Sequence, residues 1–252
     1  MPRSGPGLSF REYRLPRRGH RLDECEDASA GDPARGRFAV ADGASESSFA
    51  ALWAKLLVED FVHAPESGTA WATGLAPLRQ RWTSTVAQEP AAPPLPWYLE
   101  DRLRQGAFAT FLGLVVESAE GPDGPAWRWD ALAVGDSCLF QIREGGLVDA
   151  FPLARSLEFD NAPWLVGSRT SHSEVLRRQG LGRADDRLWL MTDALAQWFL
   201  RQVEAGQRPW DELEPFVPAD AAADAFPAWV EGLRGARQLR DDDVTLLAVC
   251  LH

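Results

Sequence analysis

Aspartates fall repeatedly where apolar runs stop or begin. Asp42 closes RFAVAD, Asp136 closes ALAVGD, Asp193 closes RLWLMTD, and Asp242 and Asp243 open DDDVTLLAV. A carboxylate at the end of a buried strand is costly unless a hydrogen bond or a cation pairs with it. Taken singly, each is an ordinary turn residue, because aspartate side chains accept hydrogen bonds from the backbone just ahead of them. Together they point elsewhere. In antiparallel neighbours the C-terminal end of one strand lies beside the N-terminal end of the next, so these carboxylates can meet at one edge of a sheet. Such a cluster raises its own pKa values unless divalent cations neutralise it, and an all-oxygen set without thiolates selects Mg2+ or Mn2+ over Zn2+.

The elements that must position these groups follow from periodicity. A strand is expected over 38–41, and from Ser45 the period changes: Phe49, Leu52, Trp53 and Leu56 recur at helical spacing, with Ser45, Ser47 or Ser48 as the N-cap. Asp42-Gly43 is then the turn of a strand–turn–helix unit. The acidic run 22–36, LDECEDASAGDPARG, reads as an irregular loop, and the preceding FREYRLPRRGHR as a basic N-terminal piece. Helices are expected around 75–86 and 97–105, on either side of the proline-rich EPAAPPLP. Strands are expected over 108–117, 126–136 and 137–148, with GPDG and EGG as hairpin turns, and directly linked strands of this kind pair antiparallel. A strand over 187–193, helical material over 194–204 and 220–235, and a last strand over 244–250 complete an α+β layered pattern without internal repeats.

The totals fit one large domain spanning 1–252: hydrophobic residues are 45% and charged residues 25% of the chain. A net charge of -11 opposes attraction to nucleic acid or to anionic lipid, so neither is expected as a partner. Cys25, Cys138 and Cys250 are odd in number and lack CxxC spacing, which suits a reducing cytosol, and Cys138 is expected to be a small buried apolar group. No apolar run suggests a signal peptide or a membrane span. A cytoplasmic monomer is the expectation. Trp53, Trp189 and Trp198 are expected in the core; Trp127 and Trp129 share a strand face and should pack under a helix or line a surface patch.

Taken in chain order, the acidic motifs resemble those of the metal-dependent protein phosphatase 2C family: an arginine followed by an ED pair, then DG, GDS, TDG and DNxT, each at the end of a strand. Here they read Glu26-Asp27, Asp42-Gly43, Gly135-Asp136-Ser137, Thr192-Asp193-Ala194 and Asp242-Asp243-Val244-Thr245, and FDNAPWLVGS over 159–168 is similar to the family's Asn…Gly segment. The resemblance spans 21–251 and implies an α-β-β-α sandwich of two antiparallel sheets flanked by helices. It further implies two Mn2+ or Mg2+ ions, with Asp42 bridging them, the Gly43 carbonyl on one, and Asp193 and Asp242 on the other. Asp27 would act through water, with Glu26 beside it, and Asp136 would hold the third, weaker ion of bacterial members. Asp42, Asp193 and Asp242 are thus the implied catalytic residues. The implied reaction is hydrolysis of phosphoserine or phosphothreonine in a protein substrate by an activated water, in opposition to a Ser/Thr kinase.

Four departures stand out. Arg21, the nearest candidate for the phosphate-gripping arginine, is one residue out of step, and Arg17 or Arg18 could replace it. Ala194 stands where the family has glycine, which matters if φ is positive there. DGAS replaces DGxGG, and Asp243 replaces asparagine, adding negative charge. The misplaced arginine and Ala194 support an alternative, a catalytically weak pseudophosphatase that binds a phosphoprotein or kinase; the retained carboxylates oppose it. A GDS-type serine hydrolase using Ser137 lacks a following DxxH, and a nuclease should carry a basic track. Residues 63–96 and 169–187 lie outside the motifs and are expected to carry substrate choice.

Overall fold

The computed structural model of the protein describes residues 7–45, 47, 49–64, 71, 74–88, 105–121, 124–159, 163–169 and 174–252. Two five-stranded antiparallel sheets carry the fold. The first has the order β1-β12-β11-β7-β8, with β1 Leu8–Leu15, β7 Cys138–Arg143, β8 Gly146–Phe151, β11 Arg187–Met191 and β12 Val244–Leu251. The second has the order β10-β6-β5-β3-β2, with β2 Asp27–Asp32, β3 Arg37–Asp42, β5 Phe111–Gly121, β6 Gly124–Val134 and β10 Leu176–Gly182. A small pair, β4 Phe108–Ala109 with β9 Val166–Gly167, lies beside Gly43.

The layers follow from alternation along the strands. One face of the second sheet presents Phe38, Val40, Leu112 and Leu114 to Leu139, Leu188, Leu190, Leu247 and Val249 of the first, forming the inner core. Burying each of these side chains contributes about 1.5–3 kcal/mol relative to exposure. The other face of the second sheet, through Ala39 and Ala41, takes α1 Ala50–His63 and α2 Ala76–Gln88, whose Trp53, Leu57, Phe61 and Trp82 are buried. The outer face of the first sheet takes α3 Asp193–Glu204 and α4 Pro209–Leu213, and also α5 Ala225–Gly235. This is the α-β-β-α sandwich.

Several local expectations need correction. The run 22–36 is not a loop throughout: it holds a short 3-10 turn, Leu22–Glu24, and then β2, paired in register from Asp27↔Asp42 to Asp32↔Arg37. DASAGD has none of the β-branched and aromatic residues that mark a strand, yet an edge strand of small residues fits where Ala28 must tuck under α1. β1 and β10 were likewise not expected. Ser45 and Ser47 do not cap α1: its N-cap is Phe49, in the left-handed region, while Ser47 donates to the Ala44 carbonyl and accepts from the Phe108 amide, and Ser48 falls outside the described residues. Helix α5 begins at Ala225, later than expected. Trp127 and Trp129 lie neither under a helix nor on the surface but between the sheets, where Trp129 donates to Gln141. Trp53, Trp189, Trp198 and Cys138 are buried as expected. The helix over 97–105 falls outside the described residues except at Gln105.

Candidate active site

The acidic residues meet where the two sheets open at one end, not at the edge of one sheet. Asp42 ends β3 and Asp27 begins β2, so the antiparallel register sets them side by side in the second sheet. Asp193 follows β11 and Asp242 precedes β12, neighbours in the first. Asp136 lies in the link from β6 to β7, where the chain crosses between sheets. Five carboxylates therefore converge from both sheets.

Asp27 is buried, and its Oδ2 accepts hydrogen bonds from Thr245 Oγ1 at 2.7 Å and Thr192 Oγ1 at 2.9 Å. Its Oδ1 is buried with no hydrogen-bond partner. Burial pushes the Asp27 carboxyl up to about 8, against the two threonine hydroxyls and with help from Asp243. Asp42 is also pushed well up, first by burial and then by the charges of Asp27, Asp193, Asp136 and Asp242. These groups are held near one another, and the ion pairs of Arg240 reach only Asp193 and Asp242 among the five. The Asp42 backbone is fixed by Thr110, whose amide donates to the Asp42 carbonyl at 2.8 Å and whose hydroxyl meets Ser137 Oγ at the same distance.

Two glycines let the backbone close around this point. A Cβ on Gly43 would come within 2.8 Å of the Glu26 carbonyl oxygen and 3.0 Å of Ala50. Gly135 has φ +96°, and a Cβ there would meet Thr110 and the Trp164 carbonyl at 2.8 Å. Ala194, by contrast, is the second residue of α3 and has no positive φ, so alanine costs nothing in backbone strain there.

Asp193 opens α3, where the helix N-terminus favours its negative charge. Its Oδ2 is ion-paired with Arg240 Nη2, which also lies 3.0 Å from Asp242 Oδ2. Arg21 lies apart from the cluster, exposed and ion-paired with Asp23. The arginine at the rim is Arg17: it donates to Ser45 Oγ at 3.0 Å and lies 3.6 Å from Glu26, whose carboxylate also accepts from Ser45.

Asp243 has a different task from the one its charge suggested. One oxygen accepts the Arg17 amide at 2.7 Å and the other the Glu26 amide at 2.6 Å, so a single carboxylate pins the segment before Asp27 to β12. An asparagine has one acceptor oxygen in place of two. Asp243→Asn is expected to cost about 1–2 kcal/mol, a fall of roughly 2–8 °C in melting temperature by calorimetry. An unchanged melting temperature would show that the second amide needs no carboxylate. Thr245 lies two residues on, in β12, and donates to Asp27. Buried Arg234 completes the frame, donating to the carbonyls of Pro16 and Asp242.

A family model described as protein phosphatase 2C matches residues 18–239. The chain belongs to the protein phosphatase 2C family. No curated protein sequence matches it. Among solved structures it is similar to PppA, described as a key regulatory component of the T6SS in Pseudomonas aeruginosa, at 18% identity and a TM-score of 0.61 over 97% of this chain and 98% of that one. It is also similar to the catalytic domain of the serine/threonine protein phosphatase PstP in complex with 2 manganese ions, at 16% identity and TM-score 0.61 over 98% and 99% of the two chains. A magnesium complex of RsbX matches at 16% identity and TM-score 0.52 over 98% and 96%. At these identities the likeness concerns the fold.

The donor set of this phosphatase 2C chain fits hard divalent cations: it is all oxygen, negatively charged, and leaves Asp27 Oδ1 unsatisfied in the interior. Among the described residues no three Asp, Glu, His or Cys side chains are already gathered around one point, and Arg240 lies between two of the carboxylates. Of the family's Asn…Gly segment, residues 160–162 fall outside the described residues. Sequence reasoning had not singled out Thr110, Arg234 or Arg240, and it had named Thr192 and Thr245 as motif members without a task. The two threonines had a legible signal, since each is itself a position of a matched motif, Thr192 beside Asp193 and Thr245 three residues after Asp242.

Proposed function

We propose that this chain hydrolyses phosphoserine and phosphothreonine in proteins, using Mn2+ or Mg2+ held by Asp27, Asp42, Gly43, Asp193 and Asp242, with Asp136 serving a third ion. The observation that carries this reading is the buried acid cluster: burial, and then the charges of Asp27, Asp193, Asp136 and Asp242, push Asp42 well above its ordinary range, and a buried Asp27 oxygen has no hydrogen-bond partner. Such a cluster is unfavourable in the metal-free chain and favourable around cations. When bound, the ions supply the Lewis acidity that lowers the pKa of water and neutralise charge on the phosphoryl oxygens.

The chain's own groups do the rest. Thr192 and Thr245 fix the Asp27 carboxylate through one oxygen and leave the other to accept a hydrogen bond from water. Arg17, at the mouth beside Ser45 and Glu26, supplies the guanidinium that grips phosphate, in place of Arg21. Arg17→Ala is expected to raise KM for a phosphopeptide about tenfold or more, the worth of a hydrogen bond to a charged group, whereas Arg21→Ala leaves it unchanged. The reverse order in steady-state kinetics would return the role to Arg21.

The setting that fits is a cytoplasmic monomer opposing a Ser/Thr kinase in a bacterium. The direct test is hydrolysis of a phosphothreonine peptide by the purified protein in EDTA, Mg2+ or Mn2+. Turnover with metal and none in EDTA is expected. Folded protein that binds the phosphopeptide yet fails to turn it over with any of the metals would support the pseudophosphatase, a reading that the Arg240 ion pairs favour.

A further inference from the structure

Resting on the metal-site reading, we infer that Arg240 is a built-in cation that competes with a divalent ion for the Asp193–Asp242 pair. Its guanidinium lies on one oxygen of each carboxylate: it pairs with Asp193 Oδ2 and is 3.0 Å from Asp242 Oδ2. These two side chains come from neighbouring strands of the first sheet, one after β11 and one before β12, so a cation between them ties the two strand ends together. A divalent ion bound by the same oxygens cannot share that position with a guanidinium, because like charges at this separation repel strongly.

The surroundings make the exchange feasible. The Arg240 side chain is 41% exposed, whereas that of Asp193 is 15% exposed, so the arginine can swing into water while the carboxylate stays in place. Its two neighbours along the chain hold the backbone during that swing: Leu239 is buried in the core, and Asp241 Oδ1 accepts the Arg18 amide at 3.0 Å. Arg234, which also approaches this loop, spends its Nη groups on the Pro16 and Asp242 carbonyls and on Glu231, and so is not the cation on these carboxylates. Arg240 therefore stabilises the loop when metal is scarce and opposes metal entry when it is plentiful. The apparent affinity for the ion is lowered by the fraction of molecules in which the guanidinium occupies the pair.

The test is Mn2+ titration by calorimetry on metal-stripped protein, beside thermal melts in EDTA, for the unaltered chain, Arg240→Gln and Arg240→Lys. Arg240→Gln is expected to tighten the weaker Mn2+ site about tenfold and to lower the melting temperature in EDTA, since Asp193 and Asp242 are left facing each other unpaired. Arg240→Lys keeps the charge and should restore both values towards those of the unaltered chain. Equal Mn2+ affinity and stoichiometry in all three proteins would overturn the inference and leave the metal reading standing. Weaker binding in Arg240→Gln would overturn it too, by making Arg240 an organiser of the ligands. Failure of all three proteins to bind Mn2+ would sink both readings.

Discussion

Asp42→Asn is expected to remove turnover of a phosphothreonine peptide while making the metal-free protein more stable. The two effects have one origin. Asp42 stands beside Asp27 in the register of β2 and β3 and feels Asp193, Asp136 and Asp242 as well. Its charge is therefore the one whose loss relieves most repulsion and also the one whose loss most weakens attraction for cations. Asparagine has nearly the same shape, and the contacts that fix β3 here are made by the Asp42 backbone with Thr110, so the fold has no reason to change. Because residues that merely support a metal ligand cost 10–100-fold when removed, loss of Asp42 as one of the proposed ligands should cost more than about a hundredfold in kcat/KM. In EDTA the variant should melt several degrees higher, about 2–4 °C for each kcal/mol of repulsion removed. Turnover within a few-fold of the unaltered chain would take Asp42 out of the site. A lower melting temperature would mean that its charge is satisfied in the metal-free state.

The positions of these aspartates were readable because two physical signals coincide at each: an apolar run long enough to be a strand, and a carboxylate at its end. That was enough to name Asp42, Asp136, Asp193 and Asp242, but not to say how they meet. The pairing of Asp27 with Asp42 depends on β2, and β2 is a strand because its neighbours need one, not because DASAGD prefers extended structure. β1 was hidden in the same way by its charges: its register on β12 buries Tyr13 against Phe216 and Phe226 while Glu12 and Arg14 alternate outward. Edge strands carry the weakest sequence signal, since one of their sides is never packed.

Polar partners were the least legible part of the site. Asp243 was read as added negative charge near the metals, yet its two oxygens are spent on the amides of Arg17 and Glu26. Those partners are 226 and 217 residues away along the chain, so no local pattern announces them. Arg240 was invisible for a similar reason: three aspartates follow it directly, so the run does not say which carboxylate the guanidinium meets, and Asp193 is 47 residues away. Ala194 was the reverse case, a substitution that looked consequential and is not, because the helix begins at Asp193 and gives position 194 an ordinary negative φ.

The metal-free protein should become more stable as pH falls from about 8 towards 5.5, the opposite of a protein whose carboxylates are paired. In the unfolded chain Asp27 titrates near its ordinary value of 3.8, whereas in the folded chain burial holds it up to about 8, and Asp42 and Asp193 are shifted in the same direction. Between those values the folded state binds more protons than the unfolded one, so raising the pH costs stability and lowering it restores stability. For Asp27 alone the shift corresponds to several kcal/mol in the limit, and a net change on the order of 3 kcal/mol is expected once the neighbouring carboxylates share protons. Below this window the trend should reverse, because Glu158, Glu204 and Glu231 are held below their ordinary range by hydrogen bonds and lose those partners' stabilisation on protonation. Thermal melts in EDTA across this range, repeated with saturating Mn2+, separate the contributions: the slope should be present without the ion and nearly absent with it, since cations replace the protons on the same oxygens. Asp27→Asn should flatten the EDTA profile by itself. An EDTA profile that is already flat, or that rises with pH, would mean that the acid cluster is relieved by the protein's own cations.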